Sequence, residues 1–159
     1  DITFEDFHYQ LQIWDTAGQE NYRSIGGSYY KNSDCCILVF DKTVHKSFEE
    51  IEVWRRNFIE RSNLKEEEQF PFVLIGNKND LKDRVEVSEE EIVSKCTINK
   101  YIYYDVSAKV DEDKFDMLVM EIVKQILRRE KSVRRQLINE DFKLRLEKNK
   151  SKKNESCCN

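Results

Sequence analysis

Nowhere in these 159 residues does G-x-x-x-x-G-K-[ST] occur, and only four glycines are present: Gly18, Gly26, Gly27 and Gly76. The chain therefore carries no glycine-rich turn of the kind whose amides cradle a phosphate ahead of a helix. It also has no apolar stretch of membrane-spanning length. Positive charge is in short supply: 27 Lys and Arg stand against 31 Asp and Glu, for a net charge of −4. That balance argues against a nucleic-acid binder, which needs a basic surface for phosphate contacts. Five cysteines make an odd count, two pairs are adjacent (Cys35-Cys36 and Cys157-Cys158), and none has zinc-ligand spacing. A reducing cytosol is the simplest setting for them. The two histidines, His8 and His45, have no acid–base partner legible in the sequence and read as surface residues.

What is present is ordinary for a globular domain with a polar surface, at 39% hydrophobic and 36% charged residues. Residues 1 to 5 and 9 to 14 read as a hairpin turning near Asp6. Cys35 to Phe40 and Phe72 to Ile75 are continuous apolar runs, the pattern of strands buried on both faces of a parallel sheet, and Tyr101 to Val106 is a further short strand. Ser47-x-x-Glu50 and Ser88-x-x-Glu91 match the capping box at helix starts. After Asp111, Phe115, Leu118, Val119, Ile122, Val123, Ile126 and Leu127 form one apolar stripe, with Arg128, Arg129 and Lys131 in the last turn. That helix must lie against the sheet. Strands alternating with helices give an α/β fold, a mostly parallel sheet flanked by helices.

Three short runs carry chemistry. Trp14-Asp15-Thr16-Ala17-Gly18-Gln19-Glu20 follows the alternating segment Tyr9 to Ile13, a strand that delivers an acid, a bare amide and a glutamine to one point. A carboxylate at a strand end, Asp15, can hold the Mg²⁺ that bridges the β- and γ-phosphates of a nucleotide, directly or through water. Taken alone it reads equally as a strand-end cap. Gly18 has no side chain to keep its amide from a γ-phosphate, and Gln19 follows as a residue able to orient an attacking water. Asn77-Lys78-Asn79-Asp80 stands after Ile75-Gly76, at the carboxyl edge of the sheet, where α/β proteins bind ligands. Such a run also suits a plain turn. A carboxylate at Asp80, however, accepts from the two adjacent N–H donors on guanine's edge, a pair that adenine does not offer. Ser107-Ala108-Lys109 follows the next strand.

Together these residues resemble the Ras-like small GTPases, and within them the Rab family, over nearly the whole chain up to about Lys131. The resemblance implies a partial G domain at residues 1–131 that binds GTP or GDP with Mg²⁺ and hydrolyses GTP slowly. In the family the phosphate loop, first helix and first switch precede the hairpin, so the resemblance implies that this chain starts inside the domain. It implies that the Lys78 stem packs along the base, that Asn77 ties the loops together, and that the Ala108 amide, within Ser107-Ala108-Lys109, donates to guanine O6. Arg23, Ile25, Tyr29 and Tyr30 fall in the second switch, as core or as a partner-binding face, while Asn21 and Gly26-Gly27 depart from the usual Rab pattern. Asp34-Cys35-Cys36 and Phe70-Pro71-Phe72-Val73 resemble the subfamily of late endosomes and lysosomes.

Residues 132–159 read as a tail. Six basic side chains and one acidic one lie between residues 143 and 153, a composition that stays solvated. Ser156-Cys157-Cys158-Asn159 is not a C-a-a-X box but resembles the double-cysteine endings of Rabs, which take two geranylgeranyl groups. Two lipids anchor stably where one binds reversibly, and the basic tail adds attraction to anionic lipids. The resemblance thus implies a switch in vesicle traffic on the cytoplasmic face of endomembranes. Its partners would be effectors, an exchange factor, a GTPase-activating protein, the prenylation machinery and a GDP-dissociation inhibitor. The competing reading is a non-catalytic Rab-like interaction module, or a truncated product that cannot hold nucleotide tightly.

Overall fold

The computed structural model describes residues 2–4, 7–16, 30–64, 70–111 and 115–131. Two sheets are formed. The first is a small hairpin, β1 (Ile2–Phe4) against β2 (Phe7–Tyr9), antiparallel with Thr3 opposite His8 and Phe4 opposite Phe7. The second is parallel, in the order β3 (Cys36–Asp41), β4 (Phe72–Asn77), β5 (Ile102–Asp105). Its register sets Cys36 beside Phe72 and Val73 beside Ile102.

β4 is buried at every position from Phe72 to Gly76, as its unbroken apolar run requires of a strand covered on both faces. Alternation sends its side chains to opposite layers. Phe72 and Leu74 join Leu38, Phe40, Phe48, Ile51, Phe58 and Ile92 in one core cluster. These residues bring in α1 (His45–Glu49), α2 (Ile51–Ser62) and α3 (Glu89–Asn99). Val73 and Ile75 meet Leu118 and Ile122 on the other side, from α4, residues 115–131. The layers are rich in rings: Phe58 lies 5.2 Å from Phe70 and 5.7 Å from Phe72, centroid to centroid. Each such buried side chain contributes about 1.5–3 kcal/mol relative to exposure.

Three expectations are corrected. The strand expected at residues 9 to 14 ends at Tyr9, and residues 10–16 are irregular. Tyr9 pairs with Ile2, where β1 begins, and no other described strand offers residues 10–16 a ladder, without which extended backbone is not held. Ser47 does not cap a helix. α1 begins at His45 with Val44 at its N-cap, and the Ser47 hydroxyl instead accepts from Asp41 N–H at 3.0 Å and donates to Val44 O at 2.7 Å. Phe115, placed in the apolar stripe, is exposed, whereas Leu118, Ile122 and Val123 are buried. The Ser88 box does form: Glu91 N–H donates to Ser88 Oγ, and Ser88 N–H donates to Glu91 Oε2 at 3.0 Å.

Candidate functional site

At the carboxyl end of the parallel sheet β4 runs out into residues 77–80. β5 runs out beside it into residues 106–111, and the two exits are stitched together. Val106 N–H donates to Gly76 O at 2.9 Å and Asn79 N–H donates to Val106 O at 3.2 Å. The Asn77 carboxamide oxygen accepts from Lys78 N–H at 2.8 Å and, across the gap, from Ala108 N–H at 3.0 Å. Ser107, 1% exposed, donates its hydroxyl to Asp80 Oδ1 at 2.6 Å and accepts from Lys109 N–H at 3.3 Å. Asn77, Lys78, Asp80, Ser107, Ala108 and Lys109 are therefore brought to one place.

Lys78 sits at φ 66°, in the left-handed region that costs a residue with a Cβ roughly 1–2 kcal/mol. Strain of that kind persists where the surroundings over-determine it. Here the Lys78 amide is bound to Asn77 Oδ1, its carbonyl accepts from Leu81 N–H at 3.1 Å, and its ammonium reaches Asp41 Oδ2 at 2.7 Å. Asp41 closes β3 alongside Asn77. Desolvation pushes the Asp41 carboxyl up, but hydrogen bonds from Lys78 and from Thr43 outweigh it and hold the group below its ordinary value.

Three supporting residues were not legible in the sequence. Asp41 is one. Lys42 is another, 6% exposed, with its ammonium 2.8 Å from Asp105 Oδ2 and its backbone N–H on Asn77 O at 3.1 Å. The third is Asp111, whose Oδ2 accepts from Ser107 N–H at 2.8 Å. Polar residues at the end of β3 and directly after it, and four places after Ser107, were the available signal. Their partners lie across the sheet, where local pattern does not reach.

Asp15 stands apart. It is exposed on the irregular segment rather than at a strand end, and no described contact joins it to the cluster. No group of three His, Cys, Asp or Glu side chains is gathered among the described residues. Gly18, Gln19, Cys157 and Cys158 lie outside the described residues. No helix among the described residues is long and apolar enough to cross a membrane.

Comparison with known proteins gives a consistent result. Residues 1–128 match the Ras family. The chain is similar to the Ras-related protein Rab-9A of Mus musculus, 38% identical over 159 residues, covering 99% of this chain and 77% of that protein. It is similar also to RABG3f of Arabidopsis thaliana, 43% identical over 131 residues, covering 78% of this chain and 63% of the relative. To Rab-7a of Paramecium octaurelia it is 39% identical over 132 residues, covering 82% and 64%.

Proposed function

The chain belongs to the Ras family, among the Rab small GTPases, and from that premise we propose that residues 77–80 and 107–109 read the guanine base of a bound nucleotide. The observation that carries this reading is the convergence of Asp80, Asn77 and the Ala108 amide at one end of the sheet. The Asp80 carboxylate accepts from both N–H donors on guanine's edge. Ser107 fixes Oδ1 and leaves Oδ2 facing no described donor. Lys78 lends its stem to the face of the base. The Ala108 amide is engaged with Asn77 Oδ1, so donation to guanine O6 requires that bond to be shared or released. Base recognition therefore comes with a small rearrangement of Asn77.

In the same proposal Asp15, Gly18 and Gln19 serve the phosphate end, with Gln19 orienting water for GTP hydrolysis. The support there is sequence pattern and family. Residues 1–131 form the nucleotide-binding part, and residues 132–159 form a basic tail lipidated at Cys157 and Cys158. Traffic at endosomal membranes, with effectors and regulators of the nucleotide cycle as partners, completes the reading.

The test is Asp80→Asn in a chain carrying an upstream phosphate loop. The amide presents a donor toward the xanthine 2-carbonyl, so competition binding should show preference moving from GTP to xanthosine triphosphate by at least about tenfold, or about 1.4 kcal/mol. Unchanged preference for GTP would remove Asp80 from the site.

A further inference from the structure

Lys42, the residue after β3, is a buried cation. Its side chain is 8% exposed, and its ammonium lies 2.8 Å from Asp105 Oδ2. The two residues belong to strands that are not neighbours: β4 runs between β3 and β5. Two strand spacings amount to about 9.5 Å, so the pair can meet only by passing over β4. The register shows where. Phe40 and Asp105 both stand beside Gly76, so the crossing lies on the face that carries Phe40, at the level where β4 gives way to residues 77–80. Gly76, which β4 presents to that face, has no side chain in the way.

The main chain of Lys42 is tied at the same level. Its N–H donates to Asn77 O at 3.1 Å, and its carbonyl accepts from Glu86 N–H at 2.9 Å and from Val87 N–H at 3.3 Å. Lys42 thus touches the exits of both neighbouring strands and the segment that leads into α3. The bonds that join the two runs of the site start beside it. Val106, which follows Asp105, is bonded to Gly76 O and to Asn79 N–H, and the Ala108 amide reaches Asn77 Oδ1 at 3.0 Å. All of these depend on how far the end of β5 stands from the end of β4.

We propose that Lys42 and Asp105 are a positioning pair that sets the separation of residues 77–80 from residues 107–109, and through it the hold on guanine. The proposal rests on the base-reading role of those two runs. Lys42 touches no base and acts through Asn77 and Asp105. With the bridge intact, Asp80 and the Ala108 amide stand at one spacing, matched to adjacent groups on the edge of one planar ring. With it cut, the two exits part, and a base meets one run or the other. An ion pair suits this task because its worth is geometric: taking a charge out of water offsets most of the attraction, while the bond between the two groups fixes distance and direction.

The test uses two variants. Lys42→Met keeps an unbranched side chain and removes the charge, and Lys42→Met with Asp105→Asn also removes the carboxylate left behind, so that no charge stands unpaired. Amide hydrogen exchange of the full chain should quicken at least about tenfold at Asn79, Val106 and Ala108 in both, and stay at the parent rate at Leu74 in the middle of β4. Lys42→Arg, which returns a cation to the pair, should recover most of the protection. In a chain carrying an upstream phosphate loop, a fluorescent GDP analogue should leave the doubly substituted protein at least about tenfold faster than the parent. Parent exchange rates at Val106 and Ala108 overturn the proposal. So does faster exchange spread equally to Leu74, which is loss of stability rather than of spacing, or parent GDP release beside quickened exchange. Asp80→Asn measured in parallel separates the two readings. Unchanged preference for GTP over xanthosine triphosphate in that variant removes the base-reading role itself, whereas a shifted preference with parent release in the Lys42 variants removes the bridge alone. If Lys42→Met fails to fold, the doubly substituted chain decides.

Discussion

The carboxyl end of β4 and the segment after β2 make an instructive pair. Each follows a strand and each presents a carboxylate, Asp80 in one and Asp15 in the other. Around Asp80 the backbone is pinned by bonds between two exits of the same sheet, and the Ser107 hydroxyl holds the carboxylate at 2.6 Å. Around Asp15 the chain is irregular and Ile13 and Trp14 are exposed. What separates them is coverage among the described residues. β4 has a strand on each side and an apolar layer on each face, and residues 10–16 are given neither by the described residues. A motif acquires geometry from the partners of its strand, and the same residue types without those partners stay unplaced.

The most direct way to break that comparison is to cut into both regions equally. Leu74 is fully buried, so Leu74→Ala removes packed atoms and leaves a cavity, at a cost of about 3 kcal/mol. Ile13 is 64% exposed, and Ile13→Ala should change stability by less than about 0.5 kcal/mol. Urea unfolding of the two variants measures both. Similar losses would mean that the segment after β2 is packed in solution and that the contrast is mistaken.

A finer probe sits where β4 turns into the site. A Cβ on Gly76 would collide with the Tyr103 hydroxyl and come within 3.1 Å of Phe40 Cζ. Gly76→Ala should therefore destabilise by about 2 kcal/mol, the usual scale of overpacking. Tyr103→Phe removes the colliding oxygen, so the same Gly76→Ala change made in that background should cost roughly half as much. The double-mutant cycle is read by thermal or urea unfolding. Equal cost in both backgrounds would place the strain on Phe40 instead.

The comparison also explains what could be read from sequence. β3, β4 and β5 were legible within a residue or two because apolar-rich runs between turn signals suit strands of a parallel sheet, but of the three only β4 is buried almost throughout, and Ile37 and Val39 of β3, expected to be covered on both faces, are exposed. The Ser88 box was legible because its partners lie three residues apart. Ser47 offered the same spacing and was misread. Its hydroxyl is taken by Asp41, at the end of a strand six residues earlier, and a local pattern does not register that competition. The residues that gather at the site were found through the two runs that carry them. Their supports, Asp41 for Lys78 and Lys42 with Asp105, pair across the sheet, so register had to be known first. The strand expected after Tyr9 failed for the converse reason: alternation states a preference, and a ladder has to satisfy it.

The smallest effect concerns a polar clasp in the covered half. His45, read from sequence as lacking an acidic partner, has Nε2 2.9 Å from Glu91 Oε1 and Nδ1 3.6 Å from Glu49 Oε1, while its backbone N–H donates to Glu86 Oε2 at 2.9 Å. The ring thus joins the start of α1 to the first turn of α3. The hydrogen bond from His45, with those from Ser88, holds Glu91 down at about 2, and the Glu91 hydrogen bond raises His45 against partial desolvation, helped by the charges of Glu91, Glu49 and Glu86. Glu91 is depressed, so its contribution is full above its ordinary value of 4.5 and fades as pH falls toward about 2. His45 is raised, so its contribution is full below its ordinary value of 6.5 and is lost as pH rises through the raised value. The clasp is therefore strongest between those two ordinary values. Glu91→Gln keeps a side chain able to complete the capping box and removes the charge. The Tm difference between the parent chain and Glu91→Gln should be greatest near about pH 5–6 and shrink as pH rises through the raised value of His45 and the ring loses its charge. Both side chains face water, so the difference should be small and should diminish further with added salt. A Tm difference constant from acid to alkaline pH would show that Glu91 acts through its cap alone and that His45 contributes no charge.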